Sequence, residues 1–166
     1  MKKEAHLKKS ISEIECENRR VLFVCIGNTC RSPMATEILL QILRKKGIKN
    51  YDVECFGVNP YYPDNREVKE LRERAVKDLL GDIIWMQKHV PKGIREAKPK
   101  PRDVLVVLDK SILSDLLEQL DGIEPSLSIL VFDISDPFMN GPGAYQSSCR
   151  QLKQAIEDNL ERIINE

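Results

Sequence analysis

Apolar positions along this chain follow two rhythms. Arg20-Val-Leu-Phe-Val-Cys25 and Val104-Leu-Val-Val-Leu108 are short unbroken runs rich in β-branched residues, the pattern of strands buried on both faces. Asp52 to Phe56 and Ser128 to Asp133 are expected as the second and fourth strands. Between the strands the spacing turns helical. Ala35, Ile38, Leu39, Ile42 and Leu43 line one face after Ser32-Pro33, which suit a helix's first positions, and Gly47 supplies the stop. Ile112, Leu113, Leu116, Leu117 and Leu120 repeat that spacing, and Leu152, Ile156, Leu160 and Ile163 predict one closing helix. Residues 66 to 80 also read as helical, with Arg66 to Lys77 so charged that the stretch is expected to be a solvated face. Residues 81 to 102 have no period: an Ile83-Ile84-Trp85-Met86 patch precedes a Lys- and Pro-rich stretch that reads as solvated linker.

Strands alternating with helices predict an α/β fold, a four-stranded parallel sheet joined by right-handed crossovers and covered by helices on both faces. An order 2-1-3-4 puts the first strand at the switch point, where ligands bind beyond the C-terminal strand ends. Cys25 and Asp136 both follow strand ends. The 166 residues suit a single domain, expected over 20–166, with residues 1–19 a polar extension.

Composition narrows the chemistry. Lys plus Arg and Asp plus Glu both number 26, so no global charge draws the chain to nucleic acid or an anionic membrane, and any anion site must be local. No apolar run approaches the roughly 20 residues of a membrane span, and residues 1–19 lack the apolar core of a secretory signal. Five cysteines in irregular spacing suggest a reducing, cytoplasmic setting rather than a disulfide framework. With only His6 and His89, a metal centre or histidine-based triad has little material, which leaves cysteine chemistry. No cofactor or metal is expected, and the chain is expected as a monomer or weak dimer.

Cys25-Ile-Gly-Asn-Thr-Cys-Arg31-Ser32 joins the first strand to the first helix. Gly27 and Asn28 can take unusual backbone angles, so Ile26, Gly27, Asn28, Thr29, Cys30, Arg31 and Ser32 can wrap an oxyanion. Successive N–H groups point at one phosphate, and the helix N-terminus adds partial positive charge. Arg31 offers a planar fork for two phosphate oxygens. The same field favours the nucleophilic thiolate of Cys25, which could attack phosphorus and form a phosphocysteine. Asp136, in Asp136-Pro137-Phe138, is the candidate general acid and later base, and Ser32 could donate a hydrogen bond to the thiolate. Tyr61, Tyr62 and Phe138 are candidate walls for the substrate.

Val21-Leu-Phe-Val-Cys-Ile-Gly-Asn-Thr-Cys-Arg-Ser-Pro-Met-Ala35 resembles the signature of the low-molecular-weight protein tyrosine phosphatase family, as do the Asp136-Pro137-Phe138 loop and the closing helix. The resemblance implies a flavodoxin-like fold and a phosphorylated protein substrate, with phosphotyrosine the default. It also implies Cys25 as nucleophile, Arg31 as phosphate clamp, Asp136 as acid and Cys30 as a reversible disulfide partner that protects Cys25. Cys55-Phe56-Gly57-Val58 stands where the family usually has Ser-Ala-Gly-Thr, removing a serine that braces the loop, and His89 is a candidate for the family's bracing histidine. Thr29 keeps phosphoarginine open, because phosphoarginine phosphatases that resemble this chain carry threonine there. An arsenate reductase is a further alternative, although residues 56 to 148 hold no cysteine to resolve the adduct. A phosphoryl carrier is disfavoured by the presence of both Arg31 and Asp136.

Overall fold

The computed structural model describes residues 18–60, 64–122 and 127–165. Four strands, β1 (Arg19–Cys25), β2 (Tyr51–Gly57), β3 (Val104–Val107) and β4 (Ser128–Val131), form one parallel sheet in the order β2-β1-β3-β4. The expected order 2-1-3-4 is the observed one. Alternation along the strands divides the core between the two faces. Val21, Phe23 and Cys25 join one cluster with Val53, Cys55, Val104 and Val106, whereas Leu22 and Val24 join another with Phe56, Leu105 and Val107.

Helices α1 (Arg31–Lys45), α2 (Arg66–Leu80), α3 (Leu113–Gln119), α4 (Gly141–Asp158) and α5 (Leu160–Asn165) cover these faces. Met34, Ile38 and Leu39 of α1, Val76 of α2 and Leu152 and Ile156 of α4 pack on the first face, and Leu116 of α3 on the second. Asn65 caps α2 by accepting the Val68 N–H at 2.9 Å, and Gly81, at φ 86°, ends it in the left-handed conformation that glycine adopts without strain. Among the described residues, no helix is long and apolar enough to cross a membrane.

Several expected boundaries move. β4 stops at Val131 rather than Asp133 because β3 ends at Val107, although Phe132 N–H still reaches Val107 O and Ile134 N–H reaches Leu108 O. The helix through Leu116 opens with a separate tight turn, Lys110–Ile112, capped by Asp109. The closing helix is two helices: the Asn159 side chain donates to Ala155 O at 2.9 Å, competing for the carbonyl that its own N–H also uses, and the axis breaks there.

Residues 81 to 102 are not solvated linker. Met86, His89, Ile94 and Ala97 are buried, the last two within the tight turn Ile94–Ala97, and Gly57 pairs with Gly93 beside β2. Glu37, fully buried on α1, explains the segment's path. Its carboxylate accepts the N–H groups of Ile84, Trp85 and Met86 and a hydrogen bond from Gln41. Nor is α2 a solvated face throughout, because Arg72 is wholly buried in the stripe Val68, Arg72, Ala75, Val76.

Candidate active site

At the C-terminal end of β1 the chain turns through residues 25–31 and enters α1. Cys25, Ile26, Gly27, Thr29, Cys30 and Arg31 line a cavity of about 160 Å³ together with Asn59, Asp136 and Phe138. The residues singled out from sequence thus converge, while Asn28 and Ser32 lie buried behind the loop. Tyr61 and Tyr62 fall outside the described residues. A larger concavity, of about 540 Å³, lies around Arg20. Arg20 is already held there by Asp103, Glu54 and the Ala97 carbonyl, so its guanidinium is not free for an anion.

The loop's shape follows from where its carbonyls go. Cys25 O accepts Val58 N–H at 3.1 Å, and Ile26 O accepts Asn59 N–H at 2.9 Å. Asn28 O accepts His89 Nε2–H at 2.7 Å, Thr29 O accepts Arg72 Nη1 at 2.8 Å, and Cys30 O is taken by Met34 N–H in the first turn of α1. A trans peptide points its N–H opposite to its C=O. Holding five carbonyls from outside therefore turns the N–H groups of Ile26, Gly27, Thr29, Cys30 and Arg31 toward the concave side. Asn28 occupies the left-handed region at φ 57°, which asparagine tolerates better than most residues.

Two side-chain networks hold the loop in register. Asn28 Nδ2 donates to Ser32 Oγ at 2.8 Å, and its Oδ1 accepts Lys92 N–H at 2.9 Å. With the amide donating to it, Ser32 has its own hydroxyl proton free for Cys25 Sγ, 2.9 Å away. His89 carries its proton on Nε2, since a carbonyl can only accept, and so turns Nδ1 toward Cys55 Sγ at 3.8 Å. Burial, together with the nearby Arg72 charge, overrides the Asn28 hydrogen bond and pushes His89 down to about 4, so the ring is neutral at neutral pH. Burial pushes the Cys55 thiol up to about 11, which keeps it a proton donor. The serine missing from this position is thus replaced by a thiol that still faces the histidine.

Gly57 is fixed by close approach: a Cβ there would lie 2.7 Å from Ile26 O and 3.0 Å from Asn28 N, both backbone atoms. Arg31, only 2% exposed, gives Nη1 to Asp109 Oδ2 at 2.9 Å and to Ile134 O at 2.9 Å. Its Nη2 lies 3.6 Å from Asp136 Oδ2. Burial works to raise the Asp109 carboxyl, but hydrogen bonds from Ser111 and Arg31 outweigh it and hold the group below the usual carboxylate range. Asp136 is half-exposed, its Oδ1 accepting Phe138 N–H at 3.1 Å. Cys30 is buried, with Sγ 3.2 Å from the Tyr145 hydroxyl, and burial raises its thiol above the usual value. Cys25, Cys30, Cys55 and Cys149 are all free thiols.

Sequence reasoning missed Asp109, Arg72 and Tyr145. Each acts across the fold from a different element, and the only local signal was Asp109 following a strand end.

A family model described as low molecular weight phosphotyrosine protein phosphatase matches residues 20–166. The low molecular weight phosphotyrosine protein phosphatase of Schizosaccharomyces pombe is 27% identical over 166 residues, covering 89% of this chain and 98% of that protein. Among solved structures, a low molecular weight protein tyrosine phosphatase from T. tengcongensis is 27% identical with a TM-score of 0.71, covering 87% of this chain and 99% of that one. A drosophila arginine phosphatase is 25% identical with a TM-score of 0.65, covering 86% of this chain and 96% of that one.

Proposed function

Since the chain belongs to the low-molecular-weight phosphotyrosine protein phosphatase family, we propose that it hydrolyses phosphotyrosine on proteins through a phosphocysteine formed at Cys25. The domain responsible spans residues 20–166, with residues 1–19 an extension to it. What supports the reading most is the set of five outward-held carbonyls, which aims backbone N–H groups at one point beside Cys25 Sγ.

In the first step Cys25 Sγ attacks phosphorus, the phosphorus–oxygen ester bond breaks, and the leaving phenolic oxygen takes the Asp136 proton. The loop amides and Arg31 stabilise the equatorial oxygens, with Asp109 and Ile134 O anchoring one end of the guanidinium. In the second step the Asp136 carboxylate takes a proton from water, whose oxygen attacks phosphorus. The sulfur–phosphorus bond breaks and returns its electron pair to Cys25, which Ser32 Oγ steadies. Phe138 walls the cavity beside the departing ring. A reducing, cytoplasmic setting belongs to the same reading, because Cys25 attacks only as a free thiolate; Cys30, which lines the same cavity as Cys25, is its protective redox partner in that reading.

Phosphoarginine is the second reading, favoured by Thr29 on the cavity wall and by the arginine phosphatase among the similar structures. Phosphate release from matched phosphotyrosine and phosphoarginine peptides tests both, with Cys25→Ser as the blank. Cys25-dependent release from the tyrosine peptide is expected. A strong arginine preference replaces the substrate, and no release from either peptide under reducing conditions sinks the hydrolase reading.

A further inference from the structure

We propose that Arg72, which nothing in the family signature above includes, is a positioning residue for the oxyanion site: from α2 it fixes the Thr29–Cys30 peptide so that Cys30 N–H faces the phosphate. The proposal rests on the phosphatase reading for its substrate, but not for its anion.

Arg72 stands where the pattern of α2 calls for an apolar residue, in the buried stripe with Val68, Ala75 and Val76. It is 0% exposed. A charge in that position is expensive to desolvate unless it is well paired. All of its directional bonding passes through Nη1, which donates to Thr29 O at 2.8 Å and to Asp64 Oδ1 and Oδ2 at 3.1 and 2.9 Å. Nε and Nη2 find no partner among the described residues. Among the described residues the group is therefore held by a carboxylate on its own side and a carbonyl of the catalytic loop.

That carbonyl is the informative one. Cys25 O and Ile26 O are held by neighbouring backbone and Cys30 O by the helix itself, but no strand or helix ladder reaches Thr29 O. Without an outside donor the Thr29–Cys30 peptide is free to rotate, presenting a carbonyl oxygen to the anion where an N–H should be. A buried cation behind the carbonyl opposes that rotation by both a hydrogen bond and its charge. Because Thr29 lines the cavity, the same bond also sets where its side chain meets the substrate.

The test compares wild type with Arg72→Met, which keeps the volume and removes the donor and charge, and with Arg72→Lys, which keeps the charge without the fork. Three readouts are taken on each: inorganic phosphate affinity by calorimetry, kcat and KM on a phosphotyrosine peptide, and thermal melting. Expected for folded Arg72→Met is a roughly ten- to hundredfold loss of phosphate affinity, with KM raised and kcat lowered, and for Arg72→Lys a partial recovery. Folded Arg72→Met with wild-type phosphate affinity and kinetics overturns the proposal, even if it melts lower, because that is the mark of packing alone. Arg72→Lys no better than Arg72→Met also overturns it. Should Arg72→Met not fold, Arg72→Lys decides: phosphate affinity weakened by about threefold or more supports the proposal, and wild-type affinity overturns it. A wild type that binds phosphate yet releases none from peptides defeats the phosphatase reading while leaving the Arg72 comparison intact; a wild type that binds no phosphate defeats the Arg72 proposal itself.

Discussion

The two loops that meet over the cavity are built on opposite terms. Loop 25–31 is buried at Asn28, Thr29, Cys30 and Arg31, and its carbonyls are held by β2's exit, by α2, by His89 and by α1. The loop that carries Asp136 is open to solvent: Asp136 is half-exposed, Met139 is 86% exposed at φ 63°, and among the described residues the Asp136 carboxylate meets Phe138 N–H and Arg31. A set of donors that must match a fixed tetrahedral anion works best when nothing can move. A carboxyl that has to give a proton and then take one from water needs solvent contact and freedom to adjust. Under the proposed mechanism, the contrast sets a tightly anchored frame for anion binding beside a solvent-exposed carboxyl for proton transfer.

Asp136→Asn is the sharpest way to separate the two. It should lower kcat by about 10²- to 10⁴-fold while leaving inorganic phosphate affinity close to wild type, read by kinetics and calorimetry on the same sample. A parallel loss of phosphate affinity would mean that the two loops are not independent. Gly57→Ala attacks the rigid side, since its Cβ must displace the Ile26 and Asn28 backbone. A shift of that kind is expected to cost about 10²-fold in kcat/KM, with phosphate affinity falling alongside, the reverse of the Asp136→Asn signature.

His89 supplies a pH test of the rigid side. Its folded value of about 4 lies below the ordinary value near 6.5, so the unfolded chain takes the proton first as pH falls. The stabilisation is intact above about pH 6.5 and drains away as pH drops toward 4, to a total of roughly 3 kcal/mol. Urea unfolding at about pH 7.5 and about pH 4.5 should show most of that loss, and His89→Gln, which has no proton to gain there, should flatten it. An unchanged slope in the variant would remove His89 from the account. The smallest effect belongs to the open loop: Met139→Gly relieves a left-handed backbone on an exposed residue and should change stability by about 1 kcal/mol or less with kcat/KM unaltered.

Legibility from sequence tracks how local each feature is. β1 and β3 were plain because both faces are buried, so Val21 to Cys25 and Val104 to Leu108 are apolar throughout; loop 25–31 was plain because its glycine, asparagine, cysteines and arginine fall within seven consecutive residues. The partners that shape it were not. Arg72 lies in a stretch whose other charges do face water, and only tertiary packing distinguishes it from Arg74, which pairs with Asp78 on the exposed side. Glu37 is likewise hidden inside a helical pattern that carries no mark of the three N–H groups it receives. Residues 81 to 102 escaped because side chains and backbone elsewhere, rather than any period of their own, hold them down: Glu37 at Ile84 to Met86, and Asn28 and Gly57 at His89 to Gly93. The break at Asn159 was invisible because Leu152, Ile156 and Ile163 keep their spacing across it.

The order in which the chain is synthesised gives the anchoring of the loop a further meaning. Thr29 O is held from 43 positions downstream, Asn28 O from 61, and Arg31 from 78 and 103. On the ribosome Cys25 therefore emerges long before the groups that shape its surroundings. Under the proposed mechanism, a half-made copy carries Cys25 without a formed oxyanion site, and activity is expected to begin only once the last of these anchors has left the exit tunnel.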